Sequence, residues 1–152
     1  RKDMMKKFLM LFAFILGATT ISAQSVKKAD LVGTWQLCNM IDGMLDSSPE
    51  IKRAPYLKVF SPGGALTNLM ISKEGDVFLT MEGTYEKKSD SSYVEHIKKL
   101  LVSSAMDGVD NLMKYEFLNE NLMVITFQIV DENGEKMNCQ EVWERVSMPS
   151  RK

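Results

Sequence analysis

The chain has 152 residues, 45% of them hydrophobic and 26% charged, which suits one globular domain and argues against disorder. Its 19 Lys and Arg stand against 20 Asp and Glu with a single His, so a basic nucleic-acid surface has no residues to build it. Four of the basic residues and one acid fall in residues 1–23, leaving 15 basic against 19 acidic residues and a net charge of −4 on the rest. That mild acidity suits a monomer or a weak dimer.

Residues 1–23 read as a Sec-type secretory signal. Lys6 and Lys7 form a positive start, Phe8 to Ile15 an apolar run, and small residues lead to a cut after Ala23. The apolar run falls short of the roughly 20 residues a spanning helix needs. No Cys lies beside the cut to accept a lipid. The expectation is a soluble periplasmic or secreted protein that does not span a membrane, with a leader at 24–30 and one domain over 31–148. Cys38 and Cys139 are its two cysteines. An oxidising compartment permits a bridge between them. The strand reading places them on neighbouring strands but opposite faces, which favours two reduced thiols.

From Leu31 onward the chain reads as strands. LVGTWQLCNMI (31–41) is rich in strand formers, and DGMLDSSPEIKRA (42–54) breaks the pattern, with Ser47 and Glu50 spaced to cap a short helix. YLKVFS (56–61) and ALTNLMIS (65–72) flank the turn Pro62-Gly63-Gly64. VFLTMEGTYEKK (77–88) is extended, with Gly83 placed for a bulge. SYVEHIKKLLV (92–102) follows, then a loop from Ser103 to Asp110. LMKYEFL (112–118) and LMVITFQIV (122–130) form one hairpin. Asn133-Gly134 turns the chain into KMNCQEVWERV (136–146).

Seven or eight antiparallel strands with at most one short helix make an all-β domain. Closure into a single barrel is favoured because long meandering hairpins otherwise leave two open edges. Met123, Ile125, Phe127 and Ile129 alternate with Val124, Thr126 and Gln128, and Met113, Tyr115 and Phe117 alternate with Lys114 and Glu116. Each two-residue period marks one buried and one wet face. A small barrel has room for packed side chains or one small ligand.

VGTWQL (32–37) resembles the opening strand of the calycin superfamily, with the Gly-x-Trp of lipocalins and the Gly-Thr-Trp-x-Leu of fatty-acid-binding proteins. CQEVWERV (139–146) resembles the last strand of fatty-acid-binding proteins. Taken with GTYE (83–86) and SSYVEHI (91–97), these motifs are similar to a secreted Bacteroides-type lipocalin-like family of unassigned function. The resemblance implies a lipocalin-like barrel of about eight strands in which Trp35 plugs the closed end and Arg145 packs across it. Pairing of the first and last strands would itself bring the two together, guanidinium over indole. Glu141 stands where fatty-acid-binding proteins keep an inward Arg for a carboxylate, and Trp143 where they keep a Tyr. An inward Glu repels a fatty-acid head group and favours a cation or a hydrogen-bond donor.

Catalytic chemistry has little support. There is no Cys-x-x-Cys, no His-x-x-x-His and no Gly-x-Ser-x-Gly, so neither a metal site nor a nucleophile is expected, and no cofactor is implied. Glu95 and Glu141 could serve as an acid–base pair only if the fold brought them together. Glu95 and His96, being consecutive on a strand, should face opposite ways. The leading expectation is therefore a binding protein holding a small hydrophobic or amphiphilic ligand in the open end. Asn39, Tyr115 and Glu141 would supply polar contacts and Trp143 a wall. The alternative is a structural or protein-interaction barrel filled by its own side chains.

Overall fold

The computed structural model describes residues 29–42, 52–130 and 133–149, with the backbone alone for 39–42. The expected signal segment at 1–23 and the short helix expected to be capped by Ser47 and Glu50 lie outside the described residues. Eight antiparallel strands follow one another: β1 (Gly33–Asp42), β2 (Tyr56–Phe60), β3 (Ala65–Ile71), β4 (Val77–Ser89), β5 (Ser92–Leu100), β6 (Asp110–Asn119), β7 (Leu122–Val130) and β8 (Lys136–Arg145). Each pairs with the next, and β8 pairs back onto β1 to close the barrel. This all-β architecture is consistent with a calycin-type fold. Among the described residues the one helical turn is a 3₁₀ turn at Ser104–Met106, inside the loop expected after β5. Just past the end of β5 at Leu100, the Leu101 N–H still donates to the Thr80 carbonyl of β4, at 2.8 Å.

Alternation sets the interior. Tyr93, Glu95 and Ile97 on β5 are buried in a strict two-residue period, as are Met113 and Tyr115 on β6. The buried cluster runs through Trp35, Phe60, Leu66, Met81, Tyr93, Met123, Ile125 and Trp143. A smaller cluster of Cys38, Val124 and Val142 covers the opposite side of the β1–β8–β7 wall. Both cysteines are buried, and no disulfide joins them.

Bulges shape the wall at several places, among them β1, the β3–β4 pair at Asn68 and the β4–β5 pair at Gly83. β1 carries one between Leu37 and Asn39, so Leu37 pairs with Trp143 but Asn39 pairs with Val142. An extra residue shifts the parity of the strand. The alternation that runs from Trp35 along β1 is broken at this point, and Met40 holds the position opposite Glu141. Another irregularity falls at Gly83, between the pairs Glu82↔Lys99 and Gly83↔Ile97. A Cβ built on Gly83 would collide with the backbone carbonyl oxygen of His96. Backbone has little room to yield, so Gly83→Ala is expected to lower stability by about 1–3 kcal/mol through overpacking. Urea denaturation checks it, and an unchanged midpoint would show that the strands separate freely there.

Candidate functional site

The barrel has two unlike ends. One carries the start of β1, the β2–β3, β4–β5 and β6–β7 turns, and the end of β8. Trp35 lies here, fully buried, its Nε1–H donating to the Leu31 carbonyl at 2.8 Å. Arg145 is its Cα partner, and the guanidinium carbon sits 4.2 Å from the Trp35 ring centroid. The same guanidinium donates to the carbonyls of Glu120 at 3.0 Å, Val32 at 2.9 Å and Asp30 at 2.6 Å. It thus ties the leader and the β6–β7 turn to the last strand. Gly33 makes room for this. Its φ is +140°, and a Cβ there would come within 2.7 Å of an Arg145 nitrogen. The glycine of the GTW motif thus has a steric cause.

Inside this end, aromatic rings pack in sequence. Trp35 and Phe117 have centroids 5.9 Å apart, Phe117 and Tyr115 5.5 Å, Tyr115 and Tyr93 5.9 Å, Tyr93 and Phe60 5.4 Å, and Phe60 and Tyr85 5.0 Å. All five pairs are tilted or edge-on, the arrangement the ring quadrupole prefers. Tyr115 belongs to this floor, and its hydroxyl donates to the Ser89 carbonyl at 3.1 Å. This half of the barrel is consistent with a filled hydrophobic core.

Above the floor lies a polar layer. Lys58 is 3% exposed, and its ammonium is 2.6 Å from Oε1 of Glu95, itself buried. The Tyr93 hydroxyl donates to the same oxygen at 3.0 Å. Burial works against the Lys58 ammonium, but the Glu95 and Glu141 carboxylates outweigh it and hold its pKa above the ordinary lysine value. Burial likewise drives the Tyr93 hydroxyl well up, with Glu95 adding to the effect. The Lys58 ammonium also lies 5.3 Å from the centroid of the Trp143 ring.

Glu141 joins this layer from β8. The Trp143 indole Nε1–H donates to its Oε2 at 2.9 Å. Burial pushes the Glu141 carboxyl up, against the pull of Lys58 and of that hydrogen bond. Asn68, the Cα partner of both Lys58 and Met81, has a buried Oδ1 with no hydrogen-bond partner among the described residues.

Of the residues expected to line a ligand site, Glu141 and Trp143 therefore meet each other. Tyr115 turns to Ser89, and Asn39 stands in register with Val142. Sequence reasoning missed Lys58, Tyr93 and Asn68 and did not pair Glu95 with a cation. The signal was in the period: Lys58 is two residues from the buried Phe60, and Glu95 lies between Tyr93 and Ile97. His96, one residue on, holds Asp110 at 2.6 Å with its side chain partly open to solvent, on the face opposite Glu95. Among the described residues no group of three or more His, Cys, Asp or Glu side chains is placed to hold a metal ion. Among them, too, no helix is long and apolar enough to cross a membrane.

The family model for a domain of unknown function, DUF4488, matches residues 30–152. No functionally curated protein matches the chain. The chain belongs to the DUF4488 family.

Proposed function

We propose that this member of the DUF4488 family is an exported, non-catalytic barrel that serves as a protein-interaction module. The observation that carries this reading is the occupied interior: a ladder of aromatic rings closed over by the Lys58–Glu95 ion pair. The open end supports it. Val77, Phe78, Leu79, Leu101, Val102 and Val130 are exposed there, around the β3–β4 turn, the β5–β6 connection and the β7–β8 connection. Apolar surface gathered at one end of a small domain suits contact with another protein. The signal-like segment at 1–23 supports export.

A carrier of a small amphiphile, in the manner of lipocalins, is the second reading. It is favoured by the Tyr56–Met70–Phe78 ladder, which shares the inward face of Lys58 and Asn68 and leads from them to the open rim. Calorimetric titration separates the two, using a long-chain carboxylate and an uncharged alcohol of equal length. Neither is expected to give saturable heat. One-to-one binding of the alcohol would overturn the filled-barrel reading in favour of the carrier.

A further inference from the structure

The charges of the polar layer do not balance. Lys58 is a single ammonium, committed to Glu95 at 2.6 Å, and Tyr93 completes the same carboxylate oxygen. Glu141 is a second carboxylate, and the one donor reaching it among the described residues is the Trp143 indole N–H. Asn68 Oδ1 is a second acceptor, without a donor among the described residues. Lys58 links the two: its Cα is opposite Asn68 and its ammonium is 5.3 Å from the Trp143 ring. A buried acceptor without a donor is expensive, and a partly buried carboxylate whose neighbouring cation is already committed to a second carboxylate adds to that cost.

We infer that Glu141, with Asn68 beside Lys58, forms an interior site for one ammonium group, and that a lysine side chain of a protein partner delivers it through the open end. An ammonium offers three N–H donors and a second positive charge, which together would match the two carboxylates of the layer. A hard metal ion asks for six or more oxygen ligands, and two side chains do not supply them. The rim on the face of Lys58 and Asn68 is apolar. Tyr56 and Phe78, 39% and 43% exposed, pair on either side of Met70 at the rim. That wall suits the four-carbon stem of lysine, which carries a compact charge on a flexible chain. A partner protein is favoured over a free amine because its flanking residues would also cover the exposed apolar rim, burying area that a free amine leaves in water. This inference rests on reading that rim as a protein-docking surface.

The two tryptophans supply the test. Trp143 donates to Glu141, whereas Trp35 donates to Leu31 at the far end. Their indole N–H signals in a nitrogen-15 NMR spectrum therefore report the site and an internal control. The probes are n-butylammonium, 1-butanol, butyrate and the capped tripeptide acetyl-Leu-Lys-Leu-amide. n-Butylammonium is expected to shift the Trp143 signal saturably and leave Trp35 unmoved, while butanol and butyrate shift neither. The tripeptide should bind at least tenfold more tightly than n-butylammonium. Glu141→Gln keeps an acceptor for Trp143 but loses the charge, and should weaken both at least tenfold, with the Trp35 signal certifying an intact barrel. An unmoved Trp143 signal, an equal response to butanol, or undiminished binding by Glu141→Gln would overturn the site. An advantage of the free amine over the tripeptide would overturn the protein source. The alcohol titration fails or succeeds independently: an absent ammonium site with no alcohol binding removes the site and leaves the interaction module standing.

Discussion

Lys58→Met lowers folding stability by about 3–5 kcal/mol, because it leaves the buried Glu95 carboxylate without its counter-charge. Glu95→Leu is expected to do the same in reverse, stranding the ammonium. The double variant should be far less destabilised than either single one. Two apolar side chains need no solvation, and removing both charges also removes the cost of holding them away from water. The Tyr93 hydroxyl loses its acceptor in Glu95→Leu, which makes that single variant the worse of the two. Urea denaturation of the four proteins in a double-mutant cycle measures the coupling. Single-variant losses under 1 kcal/mol would show that water reaches the pair and that the interior is more open than the packing indicates.

Trp35→Ala is expected to cost about 3–5 kcal/mol, the usual range for emptying a large aromatic site in a core. The side chain is fully buried, contacts Phe117 on one side and carries the Arg145 guanidinium on the other. Its loss opens the end of the barrel and removes the surface on which Arg145 lies. Arg145 holds the carbonyls of Asp30, Val32 and Glu120, so the leader and the β6–β7 turn should loosen together. Hydrogen exchange at those segments, measured beside the denaturant midpoint, checks both parts. A midpoint equal to that of the parent would show Trp35 to be peripheral.

The strands were legible because their signals are local. The clean period of residues 122–130, the glycines of the turns and the Asn133-Gly134 pair each report on a few neighbouring residues. β7 spans Leu122–Val130, and Gly134 takes a φ of +82° in the connection to β8. Pairing of β1 with β8 followed from two terminal motifs and the need to cover edges. The register of Asn39 was not legible, for an equally definite reason. One extra residue between Leu37 and Asn39 reverses parity, and LVGTWQLCNMI contains no glycine at that point to announce it.

The amino-acid sequence by itself determined an all-β domain, the order of its strands and the glycine and aromatic residues at its closed end. Those are properties of periodicity and turn chemistry, read over short stretches. Only the tertiary structure decided what the interior contains. Lys58 on β2 and Glu95 on β5 are separated by two strands along the wall, and they meet because the sheet curls closed and both side chains reach across it. No window along the chain contains both, and a lone lysine in a strand reads as a solvated face. Glu141 was visible as an inward acid, but its place in a layer with one cation and two carboxylates came from closure alone. Charge balance in a buried layer is a sum over strands distant in sequence, and the fold performs that sum.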